Sequence, residues 1–512
     1  MTQQYKDSWF LPAEGVVEEL LLRLEKKFIL AGDEAVTQQR TYCDSFDWRL
    51  FKAGYLLFCT GLQWTLAEIE TGKTVVEEKG PKVRPGLFAG DFLPGKLRDR
   101  LHSLSGIRCV SPISKAEVSR QTIPLLNRDE KTVVRLVVEQ FVVDGDDQVL
   151  RIARLDPVRG YTEELEQARK VFKKCAPATV SPGHFVLEQG GLKEGRTPGG
   201  YSSRFLLQLD PDQTAFSAVQ IIYKQLLDTM YLNIPGTIAD LDSEFLHDLR
   251  VAIRRTRSGL SLIKNVLPDE VTEQYKADFA YLGKITGPTR DMDVYLLYEE
   301  AYKDRLPESL QAGLHTFFEN LATARRMTQQ ALVKELKGTR VKEILSSWGN
   351  YLNDPGEPAA KCAELPVIDI ARKIIFKRYK RVLNDGLAIT RKTPDAEIHR
   401  LRIQGKKLRY AIEFFSSLFP KQEIESAIKQ LKQLQNYLGD FNDLSVQQEM
   451  LQDYISQTRP GSRKNLELVA ALGGLMDNLH QEQVKARGEF AGVFSKFSGR
   501  RNTTLFEQLF AV

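Results

Sequence analysis

The sequence predicts an α+β N-terminal domain built on an antiparallel sheet, followed by an all-α region of two duplicated four-helix bundles related by a pseudo-two-fold axis. Three observations predict it. Alternating, β-branched runs occur in the first 190 residues, two Gly/Pro-rich breaks divide the chain, and the stretch after the first break follows helical spacing and repeats itself. At 512 residues the chain is too long for one compact core, so several domains are expected.

Taken in order, residues 16–28 place apolar side chains at helical spacing. YLLFCTG and LQWTLAEIE read as two strands joined across Thr60-Gly61. KTVVRLVVEQFVVDG and QVLRIARLD read as two more, with a DGDD turn between them. From Thr162 to Lys174 the pattern is helical again. The first break, GGLKEGRTPGGYSS over residues 190–203, has no apolar periodicity; the second is NDPGEPAAKCAELP over residues 353–366. The expected domains are therefore 1–190, a linker at 191–204, and a helical region at 205–500 with repeats at about 205–352 and 366–500.

Composition is that of an ordinary soluble protein, 42% hydrophobic and 27% charged. No stretch approaches 18 uncharged apolar residues, so no transmembrane helix and no membrane partner are expected. The first residues lack a basic segment followed by an apolar one, so no signal peptide is expected. Five scattered cysteines show neither CxxC nor Cys/His spacing, so neither a disulfide framework nor a zinc site is expected, and a cytoplasmic protein is. No P-loop, nucleophile elbow, Rossmann glycine pattern or HExxH occurs, so no cofactor and no catalytic residue is assigned.

The repeat is gapless. HDLRVAIRRTR from His247 lies over HRLRIQGKKLR from His399, a spacing of 152 residues that pairs Arg250 with Arg402, Arg254 with Lys406, Arg255 with Lys407 and Arg257 with Arg409. The same spacing sets ITGPTRDMDV from Ile285 over YLGDFNDLSV from Tyr437, pairing Asp291 with Asp443 and Val294 with Val446. Upstream, IIYK ending at Lys224 matches IIFK ending at Lys377 with a shift of one.

At about 100° per residue, His247, Arg250, Arg254 and Arg257 fall within roughly an 80° arc, away from the apolar sector of Leu246, Leu249, Ile253 and Leu260. Arg255 stands on the flank. His399, Arg402, Lys406 and Arg409 repeat the stripe, with Lys407 on the flank. Residues 366–410 hold 13 Lys+Arg against 4 Asp+Glu, a net of +9, while the whole chain carries only +5. Like charges stacked along a helix repel, by about 0.2–0.5 kcal/mol per pair, so two matched stripes point to a bound anion. Arginine forks and lysine point charges suit phosphate, and a histidine among cations is disfavoured in its protonated form. Asp291 and Asp293, just after Gly287-Pro288, read as helix N-caps rather than metal ligands. His102, His184, His315 and His480 are isolated.

HDLRVAIRRTR and HRLRIQGKKLRY, each followed by a helix ending in an LG-containing acidic segment, resemble the CHAD domain, the conserved-histidine α-helical domain, over about residues 205–500. The resemblance implies two four-helix bundles facing across a basic channel that binds inorganic polyphosphate. The matching positions are His247, Arg250, Arg254, Arg255, Arg257, His399, Arg402, Lys406, Lys407 and Arg409, with Lys224, Lys377, Arg290 and Lys432 from neighbouring helices. Asn442 stands where the first copy has Arg290, so that end of the second copy is less basic. A role as a scaffold in the cytoplasm or at polyphosphate granules, among granule proteins, goes with this reading.

Residues 15–185 resemble the CYTH domain, the triphosphate-tunnel fold, through TYCDSFDWRLFKAGYLLF and VLRIARLDPVRGYTEELEQARKVF. That family opens on an ExExK strand whose carboxylates hold a divalent metal. Here the nearest run, EELLLRLEKKF from Glu18, is patterned as a helix, and Arg151 and Arg154 stand where acidic ligands would be. The first domain is therefore expected to be degenerate, with no metal and no triphosphatase or cyclase activity. The alternatives are a metal-dependent triphosphate or polyphosphate hydrolase of CYTH type, with ligands such as Glu68, Glu70 or Glu139, and a nucleic-acid-binding protein. The stripes lack interleaved aromatics apart from Tyr410, which weighs against nucleic acid.

Overall fold

The computed structural model describes residues 8–511, apart from 13, 33, 71, 145–147, 176–180, 194, 204, 206, 391 and 460. The expected DGDD turn therefore lies largely outside the described residues. The chain divides into two compact units, residues 1–203 and 204–512.

The first unit is built on one antiparallel sheet. Its strands are β1 (Ser8–Phe10), β2 (Ile29–Leu30), β3 (Val36–Ser45), β4 (Tyr55–Thr60), β5 (Gln63–Glu68), β6 (Thr74–Lys79), β7 (Val110–Leu126), β8 (Thr132–Val143) and β9 (Val149–Pro157). They lie in the order β1-β9-β8-β7-β3-β4-β5-β6, with β2 on β7. The β4–β5 hairpin turns at Gly61, whose φ of 64° is cheap only for glycine. Helices α1 (Glu14–Glu25), α2 (Arg49–Lys52), α3 (Lys96–Ser105), α4 (Thr162–Cys175) and α5 (Pro182–Lys193) complete the unit. Alternation divides β8 and β9 between two faces. Leu136, Ala153 and Leu155 pack with Leu20 of α1 and Phe172 of α4, while Phe141, Leu150 and Ile152 face Val186 and Leu187 of α5. The run EELLLRLE lies within α1, as its pattern predicts.

Gly190 and Gly191 are not linker. They belong to α5, where a Cβ on Gly190 would stand 2.3 Å from Ser114 Cβ on β7 and one on Gly191 2.3 Å from the Arg196 carbonyl oxygen. These glycines permit close packing rather than a turn, which places residues 191–193 of the expected linker in the helix.

The second unit is helical: α6 (Ala215–Ile238), α7 (Ser243–Leu262), α8 (Asp269–Ile285), α9 (Gly287–Leu296), α10 (Glu299–Asp304), α11 (Glu308–Lys337), α12 (Thr339–Asn353), α13 (Val367–Leu387), α14 (Asp395–Phe415), α15 (Lys421–Gln457), α16 (Arg463–Ser498) and α17 (Arg500–Phe510). None of its described helices is long and apolar enough to cross a membrane. Thr286 ends α8 and precedes α9, with Pro288 in the first turn of α9. In the second series the matching residue is Asp440, which keeps its backbone N–H, and α15 runs unbroken through Gly439 and Asn442. The helix expected to end at LGDFND therefore continues to Gln457.

One core draws on α6, α7, α8 and α12 together with α13, α14, α15 and α17, around Trp348, Tyr223, Phe414 and Phe506. A second joins α9, α10 and α11 to α15 and α16, around Tyr302, Phe317, Leu451 and Leu472. Each core thus takes side chains from both series. Residues 353–366 are tied down as well: Leu365 and Ala363 carbonyls accept from the Ala215 and Phe216 amides at 2.8 and 3.0 Å.

Candidate functional site

Helix α7 begins at Asp242, whose carboxylate accepts from the amides of Glu244 and Phe245 at 3.0 and 3.3 Å. Leu246, Leu249, Ile253 and Leu260 are buried, so the helix is anchored by its apolar face. His247, Arg250 and Arg254 are then half-buried on its flank, with Arg257 exposed. Helix α14 buries Ile398, Leu401, Leu408 and Ile412 and leaves Arg402, Lys406 and Arg409 half-buried. Arg254 Nε donates to Tyr410 Oη at 2.8 Å, and Arg255 pairs with Glu413 at 2.9 Å, joining the two helices.

Between them lies a cavity of about 370 Å³. His247, Arg250, Arg254 and Arg290 of the first series and Arg402 of the second line it, with Asp291, Tyr295, Tyr298, Asn442, Asp443 and Gln447 completing the wall. Arg250 Nη1 donates to the Gly283 carbonyl at 3.1 Å and to Thr286 Oγ1 at 3.0 Å. The chain is thin there, since a Cβ on Gly287 would sit 3.5 Å from that same nitrogen. Arg290 Nη1 donates to the Ser243 carbonyl at 3.2 Å, and Arg402 pairs with Asp443 at 3.3 Å. His399, exposed on α14, is hydrogen-bonded through Nδ1 to Asn442 Oδ1 and does not itself line the cavity.

Burial first, and neighbouring cations second, disfavour the charges of the site. Burial, Arg402 and Arg254 pull Lys406 down to a pKa of about 8, and Asp443 offsets this only in part. Burial lowers Arg250 too; Asp291 opposes that shift, while Arg254 and Arg290 add to it. Desolvation pushes the Asp291 carboxyl up despite Arg250 and Arg290.

The structure thus brings together His247, Arg250, Arg254, Arg290 and Arg402, with Lys406 in electrostatic reach. It does not bring every stripe residue to the cavity. Arg255 is buried on Glu413, and Arg409 is held by Glu413 at 2.5 Å and Gln435 at 3.4 Å. Arg257 lies over α8, where a Cβ on Gly283 would come 3.2 Å from its Nη1. Lys407 is lowered by burial and Arg378, while Lys224, Lys377 and Lys432 do not line the cavity. Sequence reasoning missed Tyr295 and Tyr298; the pairing of Asp291 with Asp443 and of Val294 with Val446 was the signal that this segment reaches the site. Asp291 and Asp293 are not N-caps, because both lie inside α9 and Thr286 precedes it. Asp293 is buried and paired with Arg325 at 2.8 Å. Among the described residues no cluster of His, Cys, Asp and Glu forms a metal-binding group.

Residues 221–452 match the family model of the CHAD domain. Among solved structures the chain is similar to the CHAD domain from the plant Ricinus communis, at 24% identity and a TM-score of 0.50, covering 59% of this chain and 99% of that one. It is also similar to PptA from Streptomyces chartreusis, at 16% identity and a TM-score of 0.44, covering 55% of this chain and 99% of that one. None of the curated proteins compared with it matches. Within the helical unit, residues 221–452 are thus identified as a CHAD domain.

Proposed function

We propose that the helical unit binds inorganic polyphosphate at the cavity between α7 and α14, as CHAD domains are linked to doing. The observation that carries the reading is the convergence of His247, Arg250, Arg254 and Arg290 with Arg402 on one cavity, beside a Lys406 whose charge is disfavoured there. Such an arrangement is unfavourable in the free protein and is relieved by a polyanion. The 152-residue repeat supports a duplicated bundle with a pseudo-two-fold, each copy offering one stripe. Arg257 and Lys406 extend the positive surface beyond the cavity, His399 offers a ring nitrogen beside it, and Arg255, Lys407, Arg409, Lys224, Lys377 and Lys432 are the peripheral members. The role that goes with this site is binding, as a cytoplasmic scaffold associated with polyphosphate granules and their proteins.

The test is displacement of a fluorescently labelled polyphosphate from the full-length protein. Unlabelled polyphosphate is expected to displace it at much lower phosphate concentration than double-stranded DNA, because its denser charge suits the crowded cations of the cavity. Equal displacement by DNA would replace the reading with a general nucleic-acid site.

A further inference from the structure

A second cavity lies in the first unit, on the sheet face opposite α1 and α4. It measures about 390 Å³, within the range of small-molecule sites. Four cations and two carboxylates line it: Arg40, Lys73, Arg120 and Arg154 against Glu139 and Asp156. Strand register gathers these groups. Arg120 on β7 is directly opposite Glu139 on β8, which is opposite Ile152 on β9. Arg154 and Asp156 follow Ile152 at the two-residue period that keeps one face.

The charges are arranged to receive something. Arg40 and Glu139 are each 8% exposed, yet their closest charged atoms are 3.8 Å apart, beyond hydrogen-bond length. The Gln38 amide oxygen accepts from Arg40 Nε at 3.0 Å and Nη2 at 2.6 Å, so the guanidinium is hydrogen-bonded by a neutral group while no bonded carboxylate neutralises its charge, and a ligand oxyanion in the cavity meets that charge. Arg154 and Asp156 satisfy each other at 2.8 Å. Subtracting the two carboxylates from the four cations leaves a net of two positive charges, with Arg120 exposed at the rim.

The rest of the wall is apolar. Phe141 and Ile152 are each 3% exposed, and Phe58 stands with its ring centroid 5.0 Å from the Arg40 guanidinium. A bare phosphate chain gains nothing from such a wall, and its charge exceeds what the pocket balances. We infer that this cavity binds a small organic dianion, a phosphate monoester joined to a flat apolar body. The phosphate sits between Arg40 and Arg120, and the body lies against Phe58 and Phe141.

The probe is 1-naphthyl phosphate, titrated calorimetrically into the full-length protein. Saturable binding is expected, with inorganic phosphate and 1-naphthol each at least about tenfold weaker, since charge and apolar wall act together. Arg120→Ala, at an exposed position that leaves the fold intact, weakens binding by about tenfold or more, the loss of one charged hydrogen bond. Arg154→Gln serves as a second variant, and circular dichroism checks that both are folded. Arg254→Glu/Lys406→Glu leaves this binding unchanged. Absent saturation, indifference to both first-unit substitutions, or loss in the double reversal would each overturn the inference, and 1-naphthol binding as tightly as its phosphate would overturn the charge assignment.

Discussion

Replacing Lys406 by Met is expected to raise stability while lowering polyphosphate affinity. The Lys406 ammonium is held at a pKa of about 8 against 10.5 for a free lysine. At about 1.4 kcal/mol per pKa unit, keeping it charged near neutral pH costs at most about 3.5 kcal/mol. Methionine keeps the packed stem and removes the charge; the shift already includes the attraction of Asp443, and discounting it for the solvent around a half-buried group leaves a net gain of about 1–2 kcal/mol. The pH dependence has a definite sign. Between pH about 8 and 10.5 the unfolded chain binds the Lys406 proton and the folded chain does not, so wild-type stability rises with pH across that window. The handicap is fully present below about pH 8, and the gap between variant and wild type closes above it. Urea unfolding followed by far-ultraviolet circular dichroism, on both proteins across this range, measures the effect. A destabilised Lys406→Met, or one whose advantage does not shrink as pH rises, would refute the charge crowding on which the site rests.

Other consequences are equally checkable. Glu413→Ala removes the carboxylate that pairs with the buried Arg255 between α7 and α14, and is expected to cost about 3 kcal/mol in urea unfolding. Gly386→Ala would place a Cβ 2.0 Å from the Phe494 ring, inside the Phe490–Phe494–Phe497 cluster, and should destabilise the helical unit by about 1–3 kcal/mol. The Lys406 proton links binding to pH: polyphosphate favours the charged form, so its affinity falls as pH rises through about 8 and Lys406→Met abolishes that fall.

Local pattern was legible where one force dominates. The apolar stripe of α7 and the period-two strands β8 and β9 follow from burial alone, so their residues announce them. Strand β7 was not legible: VSPISKAEVSRQTIPLL is interrupted by Pro112, Pro124 and charged residues, and it is a strand because β3 and β8 pair along it. Gly190 and Gly191 misled for a similar reason, since glycine marks close approach as readily as a turn. At the site, the cations of α7 were legible from their arc. Which of them face the cavity was not, because Glu413 and Gln435, on a later turn and another helix, decide that Arg255 and Arg409 turn away. The unbroken α15 was not read from the repeat, since a helix end was expected at LGDFND; the contrast with the break at Pro288 turns on the N–H that Asp440 keeps.

The central claim is tested most directly by calorimetric titration of polyphosphate into the wild type and into Arg254→Glu/Lys406→Glu, each at two salt concentrations. Tight binding that weakens with salt and is lost in the reversed protein, while folding is retained, is the predicted result. Binding that persists through the reversal, or no binding by the wild type, would mean that the stripes on α7 and α14 are solvated surface and that the cavity holds no polyanion.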